Sequence, residues 1–384
     1  MRILFTSTAG LGHVHPLLPF IRAAQARGHE ARLAITVEAQ PAATRFGVQL
    51  VPTAAPSPAD SGAFWGALPD QDDQDSYVIG RWFGGLVARA ALPAIHAEVE
   101  EWQPDLVVSE AGEVAGALCA EAAGIPHVTV GVTALATEGY TSQRLIDEVN
   151  EGRRMLGLAD TDQPPWLRST TRYVTAVPRV LWGSPDEAPA DTVVLRHDDP
   201  EGPVPVAVPQ PRDGGRRPTV YATLGTAAPG FHLAGPAFAA VLAGLGQLDV
   251  DVLFTVGSFD VASLGPVPAN VKVESYVPQS VAMACDAVVT HGGSGTTIAA
   301  LTRGLPQVVV PLFADQPHNA ERIAAEGIGL AVDVRSAAET LAPAVRRVLD
   351  EPSFGSRARE VAADLAGLPS ADQVLAELLP VAVH

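Results

Sequence analysis

The chain has 384 residues, 47% of them hydrophobic, and a formal net charge of −18. At roughly 150 residues per domain, that length fits two domains with sizeable cores. The acidic balance argues against nucleic acid and against an anionic membrane surface, because both need a basic face.

In chain order, the opening "MRILFTSTAGLGHVHP" has no basic segment ahead of its apolar run, so no cleaved leader is expected. "RILFTS" reads as a strand, and "HPLLPFIRAAQARG" as a helix ending at Gly28, a C-cap glycine. "EARLAIT" is the next strand. The acidic run "DQDDQD" at 70–75 is expected to be a solvated loop. "PDLVVSE" and "PHVTVGV" are further strands, separated by the Ala-rich helix "EVAGALCAEAAG". Strand, helix, strand at this spacing predicts a parallel α/β domain.

The Pro- and Gly-rich stretch Glu201 to Pro218 is the most linker-like in the chain. After it the pattern resumes with "TVYATLG", "VDVLFTVG", "VKVESYV", "DAVVTHGG" and "QVVVPLF". The expected organisation is therefore a first Rossmann-like domain at 1–205, a linker at 206–217 and a second Rossmann-like domain at 218–365. A C-terminal helix at 366–384 is expected to return to the first domain. Cys119 and Cys285 sit among apolar residues and read as buried thiols. No unbroken apolar run reaches about 18 residues, so a cytoplasmic protein without a membrane span is expected.

The densest chemical signal is "THGGSGTT", Thr290 to Thr297, between the apolar runs "CDAVV" and "IAALTRG". A glycine-rich turn from strand to helix offers backbone N–H groups and the positive end of the helix dipole. In parallel sheets such turns lie where ligands bind, and this one suits a phosphate. Upstream stands "YVPQ", Tyr276 to Gln279; downstream, after another strand, stands "PLFADQPHNA", Pro311 to Ala320.

This ordered set resembles the donor half of GT-B nucleotide-sugar glycosyltransferases, in particular the bacterial antibiotic and natural-product branch. The resemblance implies an α/β GT-B fold, two Rossmann-like domains facing each other across a cleft. It implies that Tyr276 and Val277 border the nucleobase and Gln279 the pentose. His291, Gly293, Ser294, Gly295 and Thr296 would hold the diphosphate, with Thr226 near the phosphates. Asp315 and Gln316 would bond sugar hydroxyls. Relatives that use UDP-sugars often carry glutamate eight residues after the motif histidine, where this chain has Ala299. A deoxyribose offers no 2′-hydroxyl to a carboxylate there, and an unpaired buried carboxylate is costly, so a dTDP-sugar donor is favoured.

The turn "GLGHVHPLLP" offers Gly10-x-Gly12, but His15 stands where a dinucleotide fingerprint has its third glycine, and the fingerprint fails even with Glu38 placed as a ribose acid. By resemblance, His13 is the general base that takes a proton from the acceptor, a task suited to a side chain titrating near neutral pH. Glu110, ending "PDLVVSE", would orient it, with Glu113 the alternative. His15 is expected to have only a structural part. Trp65, Trp82, Phe83 and Trp166 would wall a hydrophobic acceptor site.

The implied reaction inverts the anomeric centre, moving a deoxysugar to a hydroxyl, or a carbon, of an aglycone such as a polyketide. No cofactor and no metal are expected. Asp249-x-Asp251 opens a strand, and His13-x-His15 lacks a third ligand. The expected partners are the nucleotide-sugar donor and a small-molecule aglycone, with no nucleic acid and no membrane insertion; a homodimer stays open. The rivals are a sugar-nucleotide epimerase and a non-catalytic auxiliary protein of the same fold.

Overall fold

In the computed structural model, the residues described are 1–69, 71–133, 142–164, 171–183, 189, 191–199, 216–226, 228 and 234–379. The expected linker lies almost wholly outside them. The chain forms two units, one from Met1–Val177, Ser184–Pro200 and Pro369–His384, the other from Pro178–Gly183 and Glu201–Leu368.

Unit 1 is built on a seven-stranded parallel sheet of order β3-β2-β1-β4-β5-β6-β7. Its strands are β1 (Arg2–Thr6), β2 (Glu30–Thr36), β3 (Gln49–Thr53), β4 (Leu106–Glu110), β5 (His127–Gly131), β6 (Thr171–Thr175) and β7 (Val193–Val194). β1 and β4 are central and buried, which explains their near-continuous apolar sequences. On one face, Leu17, Phe20 and Ile21 of the first helical stretch pack with Ile3, Phe5 and Ile35. That stretch is one 3-10 turn, His15–Leu17, followed by an α-helix, Leu18–Ala26. Gly28, at φ 76, lets its own N–H and that of His29 close the C-terminus on Gln25 and Ala24.

The C-terminal helix Ala371–Leu378 sits on the same face, started by a Ser370–Gln373 capping box. Ala371, Val374 and Leu375 enter that core, and Arg27 pairs with Asp372 at 2.7 Å. Fully burying side chains such as Val374 and Leu375 contributes about 1.5–3 kcal/mol each.

The acidic run at 71–75 is helical, not a loop. It opens the helix Gln71–Tyr77, which continues through a π-helical segment, Val78–Val87, into Ala88–Trp102. Acidic residues at a helix N-terminus complement the helix dipole, which the loop reading overlooked. The continuous helix Asp73–Trp102 is long although Arg81 and Arg89 interrupt its apolar runs. Its most apolar window has mean hydropathy 1.2, enough in length and composition to cross a bilayer, and 44% of that window is buried within the protein. Its Ala91, Leu92, Ile95 and Val99 pack with Leu4, Ala34 and Val107 of the sheet, the behaviour of a core helix.

Unit 2 has a six-stranded parallel sheet of order β10-β9-β8-β11-β12-β13. These strands are β8 (Thr219–Thr223), β9 (Asp251–Thr255), β10 (Val271–Glu274), β11 (Ala287–Thr290), β12 (Gln307–Val309) and β13 (Gly329–Ala331). Its larger core packs Phe238, Val241 and Leu245 against Val252, Phe254 and Val308, with Leu341 and Val345 of the helix Ala337–Asp350. Pro178–Gly183 groups with this unit: His318 Nε2 lies 2.8 Å from the Leu181 carbonyl, and Arg322 donates to the Val180 carbonyl at 3.2 Å. Cys119 and Cys285 are buried free thiols, and burial pushes both upward in pKa.

Candidate active site

In unit 1, β1 leads into a turn whose Gly10 takes φ 114, and a short helix, Leu11–Val14, then presents His13. His13 Nδ1 lies 3.0 Å from Glu110 Oε2, at the end of the neighbouring strand β4. Glu110 is fully buried, and both its oxygens are held. Oε1 accepts from the Thr8 N–H at 3.1 Å and the Thr8 hydroxyl at 2.8 Å, while Oε2 accepts from the Gly112 N–H at 2.6 Å. Burial pushes its pKa up, but the charge and hydrogen bond of His13, with the bonds from Gly112 and Thr8, outweigh burial and hold the carboxyl below the ordinary range.

Gly112 makes this approach possible, since a Cβ there would stand 3.1 Å from Glu110 Oε2 and 3.2 Å from His13 Cε1. Glu113 does not face His13. It N-caps the helix Val114–Ala123, accepting from Ala115 N–H at 3.0 Å, Gly116 N–H at 2.8 Å and the Thr6 hydroxyl at 2.5 Å. Burial raises its pKa to about 7 against those bonds.

Phe83, on the π-helical segment, lies 5.3 Å from the His13 ring. Trp65 and Trp82 are 5.2 Å apart, and both pack on Phe64, which stacks on Tyr77 at 5.0 Å. Trp65 is 49% exposed, an unusual exposure for so large an apolar side chain. Trp166 lies outside the described residues. His15 meets Phe46 edge-on, away from the pair just described.

In unit 2, the turn after β11 keeps Gly292 at φ 89, and the helix Ser294–Thr302 begins with Gly293 as N-cap and no side-chain cap. Its first-turn N–H groups, from Ser294 to Thr296, are thus not taken by a capping side chain, the arrangement that receives anions. His291 is sandwiched between two glycines. A Cβ on Gly225 or on Gly293 would fall 2.5 Å or 2.4 Å from its Nε2. Burial pushes the imidazole down to about 4, against the pull of Asp315, so it is neutral near pH 7.

Ser294 donates its hydroxyl to Asp315 Oδ2 at 2.7 Å, and Asn319 donates to the same oxygen at 2.9 Å and to the Gly292 carbonyl at 2.8 Å. Gln316 is 3% exposed, and its Oε1 accepts from the N–H groups of Leu312 and Phe313. Tyr276 is 48% exposed. Val277 packs on a small apolar cluster that includes Ala299. Gln279 donates weakly to the Gly295 carbonyl at 3.4 Å, and Thr226 stands exposed after Gly225.

Asp249 and Asp251 both pair with Arg217, at 2.8 and 3.2 Å. Among the described residues no group of His, Cys, Asp or Glu has a metal-binding arrangement. Sequence reasoning missed Thr8, Gly112, Gly225, Asn319, Phe64 and Tyr77. The glycines had a signal, each standing beside a candidate residue in "EAGE" and "TLGT".

The two parallel-sheet α/β units have the fold of GT-B glycosyltransferases, as the solved structures similar to the chain show. The solved structure of the glycosyltransferase VinC in complex with dTDP matches with TM-score 0.77 at 26% identity, covering 100% of this chain and 99% of that one. That of SsfS6 from Streptomyces sp. SF2575, complexed with thymidine diphosphate, matches with TM-score 0.77 at 28% identity, covering 99% of each chain.

The chain belongs to the erythromycin biosynthesis protein CIII-like family of antibiotic glycosyltransferases. Its N-terminal domain matches over residues 76–165 and its C-terminal domain over 239–381. The elloramycin glycosyltransferase ElmGT of Streptomyces olivaceus is 32% identical, over 98% of this chain and 97% of that protein. The L-demethylnoviosyl transferase of Streptomyces niveus is 34% identical, over 86% and 85%.

Proposed function

We propose that this glycosyltransferase moves a deoxysugar from a dTDP-sugar to a hydroxyl of a hydrophobic polyketide-like aglycone, inverting the anomeric centre without a metal. The observation that carries the reading is the 3.0 Å contact from His13 Nδ1 to the buried, multiply bonded Glu110. A carboxylate on Nδ1 fixes the tautomer whose Nε2 is basic and stabilises the imidazolium formed when Nε2 takes the acceptor proton. The acceptor oxygen then bonds to the anomeric carbon as the bond from that carbon to the diphosphate breaks, and the electron pair leaves on the diphosphate.

The departing charge falls to the N–H groups that open Ser294–Thr302 and to His291, whose glycine-lined seat fixes its ring. Asp315, held by Ser294 and Asn319, is the acceptor for sugar hydroxyls. Trp65, Trp82 and Phe83 form the aromatic wall for the aglycone. The choice of dTDP is supported by the two similar proteins solved with that nucleotide and by Ala299, which sits in an apolar cluster where a carboxylate would be poorly solvated.

Thermal melts with dTDP, UDP, GDP and NAD test the donor reading. A ligand at about 100 times its dissociation constant stabilises by about 2.7 kcal/mol. The expected result is a shift with dTDP larger than with the other three; a larger shift with UDP contradicts the donor assignment.

A further inference from the structure

We propose that Glu113 is a positioning residue for the His13–Glu110 pair, acting through a buried chain, Glu113–Thr6–Ser109–His127, that ties together β1, β4 and β5 beneath it. The inference rests on the reading of His13 as the base.

Thr6 Oγ1 lies 2.5 Å from Glu113 Oε2 and 2.8 Å from Ser109 Oγ. Ser109 Oγ in turn lies 3.0 Å from His127 Nε2, and His127 Nδ1 lies 3.4 Å from Thr171 Oγ1 on β6. Thr6, Ser109, Glu113 and His127 are all at most 4% exposed. In either sense of donation every member has a partner, as a buried polar network requires.

The chain flanks each group that holds Glu110. Thr6 is two residues before Thr8, which donates twice to Glu110 Oε1. Ser109 immediately precedes Glu110. Glu113 follows Gly112, which donates to Oε2, and the Glu113 N–H bonds the Glu110 carbonyl at 2.9 Å. Gly116 belongs to the same design, since a Cβ there would fall 2.4 Å from both Ser109 Oγ and Thr6 Oγ1. The titratable groups around Glu113 are Glu110 on the preceding turn, His127 on β5 through Ser109, and Cys119 on its own helix.

Helix capping alone does not explain a buried glutamate. Serine or aspartate caps a helix as well, and a buried carboxyl carries a desolvation cost. What glutamate adds is reach: Oε1 caps through the Ala115 N–H, while Oε2 accepts from the Gly116 N–H and also bonds Thr6 across to β1. Slack in this chain would loosen the ends of β1 and β4 together, and with them the contact between Glu110 and His13 Nδ1.

The test follows the His13 ring by nitrogen-15 NMR of histidine-labelled, ligand-free protein, with His13→Gln for assignment. Thr6→Val removes the hydroxyl and keeps the shape; Thr6→Ser restores the hydroxyl. Glu113→Asp keeps a capping carboxylate but is too short to reach Thr6. The expected result is a His13 imidazolium pKa lower by about one unit in Thr6→Val and Glu113→Asp, and near wild type in Thr6→Ser. An unchanged His13 titration in both Thr6→Val and Glu113→Asp, whatever their melting temperatures, overturns the proposal. If Thr6→Val does not fold, Glu113→Asp carries the contrast alone. The titration needs no substrate, so failure of the transferase reading would show separately, as absent turnover.

Discussion

Glu110 Oε2 lies 3.0 Å from His13 Nδ1 and accepts from the Gly112 N–H at 2.6 Å, so the backbone of the turn and the imidazole are registered on one oxygen atom. Glu110→Gln replaces that acceptor with an amide and removes the charge that favours the imidazolium. We expect kcat to fall about 100-fold or more, with KM little changed, in steady-state assays of acceptor glycosylation. Gly112→Ala puts a methyl against both partners and should cost about 10-fold in kcat. Wild-type rates in both variants would remove the pair from the mechanism.

Gly293 has an ordinary φ of −61, so alanine there strains no backbone, and the atoms nearest its added methyl belong to the His291 ring. Gly293→Ala is therefore a direct probe of the imidazole seat. It should weaken dTDP binding about 10-fold by calorimetry, and the 2.4 Å approach to a buried ring should lower the melting temperature as well. Gly225→Ala meets the same ring but sits at φ 79, and should also lower stability by about 1 kcal/mol.

His291 is held down near pKa 4 in the free protein. A diphosphate at the turn adds negative charge beside it and raises that value. Affinity for dTDP should then tighten as pH falls through the bound-state pKa towards about 4, with proton uptake on binding in that window. Calorimetry in buffers of different ionisation enthalpy reads that uptake; its absence at pH 5–6 would place His291 away from the phosphates.

His127 is buried in the neutral form, its pKa pushed down to about 3 by burial. The unfolded chain binds this proton below about pH 6.5 and the folded chain does not, so the contribution is present above 6.5 and lost as pH falls towards 3. Glu113 acts in the opposite sense. Raised to about 7, it contributes stability below its unfolded value and loses it as pH rises through 7. Urea titrations of His127→Gln between pH 6.5 and 4.5 should show a slope flatter by roughly 1 kcal/mol per pH unit at most, and Glu113→Gln should steepen it.

The central strands β1, β4, β8, β11 and β12 were legible because their apolar runs are nearly continuous, and the turns after β1, β4 and β11 carried His13, Glu110 and His291 in plain view. What escaped has physical causes. β3 contains Pro52, β13 is a three-residue "GLA", and β7 is only two residues long, so none has enough pattern to read. The π-helical segment that brings Phe83 beside His13 carries Gly80, Gly84 and Gly85 in "VIGRWFGGLV", weak helix formers that hide it from a propensity reading. The contacts of Gly112 and Gly225 arise across strands, and a linear sequence does not state which side chain a missing Cβ admits.

The most direct measurement is acceptor-dependent release of dTDP from dTDP-deoxysugars, run against a panel of phenolic and macrolactone polyketides, in wild type and His13→Ala. The account predicts release that requires an acceptor hydroxyl, a glycoside of inverted configuration by NMR, and a loss of about 100-fold or more in His13→Ala. Release that needs no acceptor, or that survives His13→Ala at the wild-type rate, would contradict it.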